Sequence, residues 1–62
     1  MYMISVNSSV IRAVGYDGYF LAVIFHHSPK IYMHPRVPEP VYAGLVRASS
    51  KGRYYSQNIR ER

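Results

Sequence analysis

Four short apolar runs, each rich in β-branched and aromatic side chains, occupy the first half of the chain. This pattern is typical of β-strands, and the polar residues between the runs favour turns. Asp17-Gly18, between the second and third runs, indicates a two-residue hairpin turn of type I′. Pro35 ends the fourth strand because proline has no N–H for the ladder. The predicted strands are Met3 to Val6, Val10 to Tyr16, Tyr19 to His26 and Ile31 to His34.

The third run is apolar on both of its faces. Side chains alternate across a strand, so Leu21, Val23 and Phe25 share one face and the residues between them share the other. One helix covers one face of a sheet only, so we expect the second face to be an interface in a homo-oligomer. The alternative is that Met1 to Ile4 fold back over it. The predicted interface residues are Phe20, Ala22, Ile24, Ile31 and Met33.

One helix is predicted after the strands. Pro38 and Pro40 suit a first helical turn, and the charge of Glu39 is favourable near a helix N-terminus. Apolar residues then recur at helical spacing from Val41 to Ala48, which predicts that this stripe packs on the sheet.

The residues after this helix are predicted to lack regular structure. Ser49, Ser50 and Gly52 end the helix. The sequence therefore predicts one α+β domain over residues 1–62, a small antiparallel β-meander of three to four strands packed by one short α-helix. The domain is expected to end with a C-terminal irregular turn from Arg53 to Ile59, in which Tyr54 or Tyr55 and Ile59 pack inward. A loose tail is expected from Arg60 to Arg62.

Size and composition limit how this domain is stabilised and where it acts. A chain of 62 residues buries only about 60% of the surface that its unfolded form exposes. It has no cysteine, which leaves oligomerisation as the usual means of further stabilisation. The longest apolar run, Tyr19 to Phe25, is too short to span a bilayer, and the N-terminus does not resemble a signal peptide. We expect a cytoplasmic protein of a bacterium or of a phage that infects one.

Positive charge is concentrated near the C-terminus. The chain has eight Lys and Arg against three Asp and Glu. Five of these cations lie in the last sixteen residues, where only Glu61 opposes them, so this end should attract anions. Most are arginines, whose planar guanidinium suits phosphate. The five are Arg47, Lys51, Arg53, Arg60 and Arg62.

The best candidate site is the segment Ser49-Ser50-Lys51-Gly52-Arg53. Consecutive N–H groups here can converge on an anion, and a new turn starting at Ser50 would place them at a helix N-terminus that favours phosphate. A structural interpretation stays open, in which Gly52 takes a left-handed conformation and the serines cap. Tyr54 or Tyr55 would stack on a base, unless both are structural. The predicted ligand-binding residues are Ser49, Ser50, Lys51, Gly52, Arg53, Tyr54, Tyr55, Arg47 and Arg60.

No catalytic or metal-binding pattern is evident in the sequence. His26 and His27 are adjacent, so they point to opposite faces of a strand, and with His34 and no cysteine they do not predict a zinc site. The scattered carboxylates form no acid–base pair. We expect a non-enzymatic binding protein without a metal or cofactor.

The segment Ala48-Ser49-Ser50-Lys51-Gly52-Arg53-Tyr54-Tyr55, with Asn58-Ile59, has the most distinctive pattern in the chain. Together with Ser8-Ser9-x-Ile11, Gly15-Tyr16-Asp17, Tyr32 and Val37-Pro38-x-x-Val41-Tyr42, it resembles the KTSC domain family over nearly the whole chain. This family is named for its place at the C-terminus of some lysyl-tRNA synthetases, and single-domain versions occur in bacteria and phages. The resemblance implies a β-meander packed by one helix, implies no enzyme, and suggests RNA binding.

The chain departs from the family pattern in three places. The central Tyr-x-Tyr of the family is Tyr32-Met33-His34 here, so a histidine replaces the second aromatic residue. The hairpin after Tyr16 is shortened to Asp17-Gly18, and the long strand is apolar on both faces.

Three hypotheses for function follow from these residues. The first is a binding protein for a phosphate-bearing ligand, either RNA or a nucleotide, which in a phage would sequester a nucleotide signal of the host. The second is a protein-interaction module that docks on host machinery such as RNA polymerase through a strand edge or the Phe20–Ile24 face. The third is an accessory domain with weak, non-specific affinity for RNA.

Overall fold

A computed structural model of the chain, which describes residues 1–60, has four strands followed by two helices. The strands form one open antiparallel sheet in the order β1-β2-β3-β4, so consecutive strands are neighbours throughout. The predicted α+β class and antiparallel meander are confirmed. The elements are β1 (Met3–Ser5), β2 (Ile11–Tyr16), β3 (Leu21–Phe25), β4 (Ile31–His34), α1 (Glu39–Arg47) and α2 (Lys51–Asn58).

The core lies between one face of the sheet, here called the inner face, and the two helices. Val14 of β2 is paired with Val23 of β3, which is paired with Tyr32 of β4, so the three side chains share this face. The alternation predicted for β3 is confirmed, because Leu21, Val23 and Phe25 all belong to the core. The helices contribute Leu45, Tyr55 and Ile59 to the same cluster.

The turn between β2 and β3 is displaced by one residue from the predicted position. Asp17 N–H donates to the carbonyl of Phe20, so Gly18 and Tyr19 are the central pair. Gly18 has φ 95°, whereas a type I′ turn would need positive φ at both central residues. The Asp17 carboxylate instead accepts hydrogen bonds from Tyr19 N at 2.9 Å and Phe20 N at 2.7 Å. These bonds lower the pKa of Asp17.

The C-terminal segment differs from the sequence prediction, because Lys51–Asn58 forms a second helix rather than an irregular turn. Gly52 lies within this helix and has no positive φ, so the left-handed interpretation is wrong. The inward packing of Tyr55 and Ile59 is confirmed. This packing supplies the stability that the segment's own propensity lacks. Of the predicted tail, Arg60 lies in a turn and residues 61 and 62 are outside the described part.

The other face of the sheet, here called the outer face, is apolar and only partly covered. Ile31 and Met33 of β4 are 51% and 50% exposed, and Phe20 is exposed beside them. Ala22 contributes little to any interface because it is only 2% exposed. The N-terminal residues cover the centre of this face, where the side chains of Met1 and Met3 lie against Gly15.

The two helices contact each other at a glycine. The Tyr54 hydroxyl passes over Gly44 and donates to the carbonyl of Val41 at 3.0 Å. A Cβ on Gly44 would overlap this hydroxyl and lie 2.7 Å from Tyr54 Cζ. A side chain at position 44 would therefore displace the Tyr54 ring from its contact with α1. No helix within residues 1–60 is long and apolar enough to cross a membrane.

We predict that Gly44→Ala lowers the free energy of unfolding by about 1–3 kcal/mol, because the added methyl group overpacks the contact between the helices. At an open helical position the same change would stabilise by about 1 kcal/mol. Urea denaturation of Gly44→Ala in the wild type and in a Tyr54→Ala background measures both effects. A destabilisation of equal size in the two backgrounds would contradict the assigned contact.

Candidate functional site

An open cleft of about 510 Å³ runs beside α2, between this helix and the ends of β3 and β4. The helix contributes Gly52, Tyr55 and Ser56, and Arg60 follows just beyond its end. The sheet side contributes mostly rings. The full set of lining residues is Val10, Phe25, His27, Tyr32, His34, Gly52, Tyr55, Ser56 and Arg60.

Three aromatic residues form the floor of the cleft. The ring of Phe25 packs edge-to-face on Tyr55 with centroids 5.2 Å apart, and edge-to-face on Tyr32 at 5.4 Å. Lys30 Nζ lies 5.3 Å from the centroid of the Tyr32 ring. The rings hold one another in fixed orientations, and a cation lies at their border.

A hydrogen bond between two side chains closes one end of the cleft. His34 Nε2 and the Tyr55 hydroxyl are 2.8 Å apart, and their rings pack edge-to-face. Burial lowers the pKa of His34, and burial is also the main cause that raises the pKa of Tyr55. At neutral pH the pair is therefore an uncharged imidazole with a neutral phenol.

A smaller hollow of about 190 Å³ lies on the other side of His34. It is lined by His34, Pro35, Arg36 and Ile59. Arg36 has φ 58°, which is uncommon for a residue with a side chain. His34 therefore separates two concave surfaces, and each is lined by one arginine.

The N-terminus of α2 lies at the opposite end of the cleft from Arg60. Ser50 is the N-cap residue, and its side chain makes no capping hydrogen bond. The first helical hydrogen bond is donated by Tyr54 N to Ser50 O, so the amides of Lys51 to Arg53 precede the hydrogen-bonded ladder. Lys51 Nζ donates to the carbonyl of Ala48 at 2.9 Å, which holds this cation beside the end of α1.

Gly52 brings the start of α2 directly onto the sheet. A Cβ at this position would lie 3.0 Å from Val10 Cγ2, tighter than an ordinary contact. The helix backbone therefore packs on Val10, the residue before β2, and both residues line the cleft. This packing is the structural reason for the glycine that the sequence analysis attributed to a turn.

The predicted ligand-binding residues do not all lie together. Gly52, Tyr55 and Arg60 line the cleft, and Lys51 and Arg53 flank Gly52 in the first turn of α2. Tyr54 packs on α1 instead, and Arg47 lies in the last turn of that helix. Ser49 and Ser50 form the link between the helices.

Sequence reasoning missed the sheet side of the cleft. Phe25, Tyr32 and His34 fall on the inner face by the same alternation that identified Leu21 and Val23. That alternation shows which residues share a face, but it does not show that a second helix leaves a gap above them. Ser56 was missed because its segment was expected to be irregular.

The histidines have separate partners. His26 Nε2 lies 2.8 Å from the carbonyl of Ser8, and His34 pairs with Tyr55. Within residues 1–60, no three histidine or carboxylate side chains come together in a group suited to a metal ion.

Comparison with known protein families gives a match. The KTSC domain family matches residues 7–62, which is essentially the whole chain and includes all residues that line the cleft. A search of curated proteins finds no match.

We predict that the His34 imidazole titrates below the usual range for histidine, because burial disfavours its charged form. Protons then bind the unfolded chain first as the pH falls, so stability decreases from about pH 6.5 downward and levels off below the folded pKa. An NMR titration of the His34 ring and urea denaturation at several pH values measure the two effects. A stability profile that is unchanged in His34→Gln would contradict the assignment.

Proposed function

This chain belongs to the KTSC domain family, and we propose that it is a non-enzymatic binding protein for a phosphate-bearing ligand, a nucleotide or RNA. The observation that carries the proposal is the uncapped N-terminus of α2, which borders an aromatic cleft at Gly52. Amides at a helix N-terminus point toward an anion and carry the positive end of the helix dipole.

Two cations reinforce the start of α2. Lys51 and Arg53 belong to its first turn, and neither has an acidic neighbour in that turn. Gly52 between them packs on Val10 and also lines the cleft, so the first turn of α2 borders the cleft. Charge of one sign beside amides that precede the hydrogen-bonded ladder favours phosphate over a neutral ligand.

The net charge of the chain, +5 at pH 7, favours the same class of ligand. Long-range attraction raises the rate at which an anion encounters the protein. The cleft adds a concave surface of the size that small-molecule sites have, about 300–1,000 Å³. In a phage, a protein that encloses a nucleotide in this way would withhold a signal from the host without any catalytic step.

A second proposal concerns the outer face, on which we infer that two copies of the chain associate. The register places Met3, Ala22, Ile24, Ile31 and Met33 on this face together with small or uncharged residues. The eight positions that pair across it include no charged residue, although the chain as a whole is strongly basic. An uncharged apolar face suits a second copy of a cationic protein better than an anionic partner.

We predict that the double variant Lys51→Ala, Arg53→Ala binds nucleotides and single-stranded RNA at least about tenfold more weakly than the wild type. Each charge-assisted hydrogen bond lost is worth about 1.5–3 kcal/mol. Calorimetry with nucleoside phosphates and filter binding of RNA at about 50 and about 200 mM salt measure the affinities. A steep salt dependence with RNA alone would identify a strand as the ligand.

The charge-matched control for this experiment is Arg12→Ala, Arg36→Ala, which removes two exposed cations that do not line the cleft. It should change affinity by less than about threefold, the effect of a reduced long-range field. Equal loss in both double variants would show that only net charge matters and would contradict the assignment of the site to α2.

We predict that the wild type is dimeric and that Met33→Lys is monomeric, because a dimer would bury the added charge. Size-exclusion chromatography with light scattering should show the mass falling about twofold. Tyr19→Lys is the control, since Tyr19 is similarly exposed but lies in the hairpin turn. A wild type that is monomeric at high concentration would contradict the proposal.

A further inference from the structure

We propose that the cleft beside α2 binds the heteroaromatic ring of a nucleotide unit while the phosphate of that unit lies at the start of the helix. This inference rests on the proposed function and adds the part of the ligand that is recognised. The nucleotide unit would be either free or part of a single strand, since both present the same ring and phosphate.

The lining of the cleft supports a ligand that extends along the helix. Gly52 and Ser56 are one helical turn apart in its wall, and Arg60 follows beyond the end of α2. The long dimension therefore runs from the uncapped amides to an arginine. A nucleotide has its ring and its phosphate at opposite ends, which matches a cleft with an aromatic floor and an anion-favouring end.

The floor of the cleft has the chemistry that stacks on a base. Tyr32 is the half-buried ring of this floor, and its edge-to-face contact with Phe25, which packs in turn on Tyr55, keeps it in place before any ligand arrives. Every base has a π-face, so stacking on such a floor needs no particular sequence. Because the rings are held in advance, little side-chain entropy is lost on binding.

The closed end of the cleft adds polar groups that can contact the edge of a ring. His34 and Tyr55 share one hydrogen bond, which leaves further lone pairs on the Tyr55 hydroxyl. The hydroxyl of Ser56 adds a second donor and acceptor in the helical wall. An acyl chain or an apolar peptide side chain would use none of these groups, and it would carry no charge for Lys30.

The test compares probes that have the ring, the phosphate or both. Inorganic tripolyphosphate and ribose 5-phosphate lack the base, nucleosides lack the phosphate, and the four nucleoside 5′-monophosphates have both. Short single-stranded RNA serves as the strand form. Calorimetry measures each affinity for the wild type and for variants of the helical wall.

The decisive variant is Ser56→Trp, which fills the cleft from an exposed position of α2. Gln57→Trp is its matched control, because the next residue of the same helix is exposed and does not line the cleft. Tyr32→Leu is a second variant that removes a stacking ring and retains an apolar side chain. Circular dichroism melts establish that each variant is folded.

We expect nucleoside monophosphates to bind the wild type about 5- to 150-fold more tightly than ribose 5-phosphate, the range that one stacked base contributes. Ser56→Trp and Tyr32→Leu should remove this advantage and leave tripolyphosphate binding within about threefold of the wild type. Gln57→Trp should change neither affinity. If short RNA displaces the monophosphates at a comparable concentration of nucleotide units, a base within a single strand also binds in the cleft.

Two outcomes would overturn the inference. If ribose 5-phosphate binds as tightly as the monophosphates, or if Ser56→Trp leaves the advantage intact, the base does not occupy the cleft. The proposed function would still stand in that case, provided that Lys51→Ala, Arg53→Ala weakens tripolyphosphate. If no phosphate-bearing probe binds the wild type, both the inference and the proposed function fail.

Discussion

The docking of α2 on the sheet is the interaction on which the rest of the structure depends, and Tyr55 is at its centre. The side chain is 6% exposed, packs edge-to-face on Phe25 and shares a hydrogen bond with His34. The segment that carries it, Lys51–Asn58, includes glycine, serine and asparagine, which are poor helix formers. A helix of eight residues that includes these three has little stability of its own, so its tertiary contacts hold it. The cleft exists only while these contacts do.

The strands could be predicted from the sequence because the pattern that indicates each strand lies within the strand and its flanking turns. The alternation of apolar residues and the turn residues between the strands predict the ends of β2 and β3 to within two residues. They predict β4 with the bounds that are observed, Ile31–His34. The second helix was not accessible in this way. Its apolar residues are few, and the partners that make it helical lie about thirty positions earlier in the chain, on β3. Even the position of Gly52 reflects a contact with Val10 rather than a turn.

The candidate site also has one part that the sequence predicts and one part that only the fold shows. Charge near the C-terminus is a property of composition, and it led directly to Lys51 and Arg53. The aromatic floor is a property of topology, since it needs β3, β4 and α2 to be in place together. The structure also gives a role to His34, which stands where the Tyr-x-Tyr pattern has its second aromatic residue. The imidazole is within hydrogen-bonding distance of the Tyr55 hydroxyl, a contact that sequence spacing does not reveal.

Strand β4 forms one edge of the open sheet, and its surroundings limit what can add to that edge. It has four residues, and Pro29 and Pro35 lie just outside its two ends. A proline cannot donate to a ladder, so an incoming strand would find only a short stretch of usable backbone. Growth into an endless cross-β fibril is therefore disfavoured along this edge, although the neighbouring outer face is apolar. The protein can therefore reach high concentration with little tendency to pair strand to strand along β4.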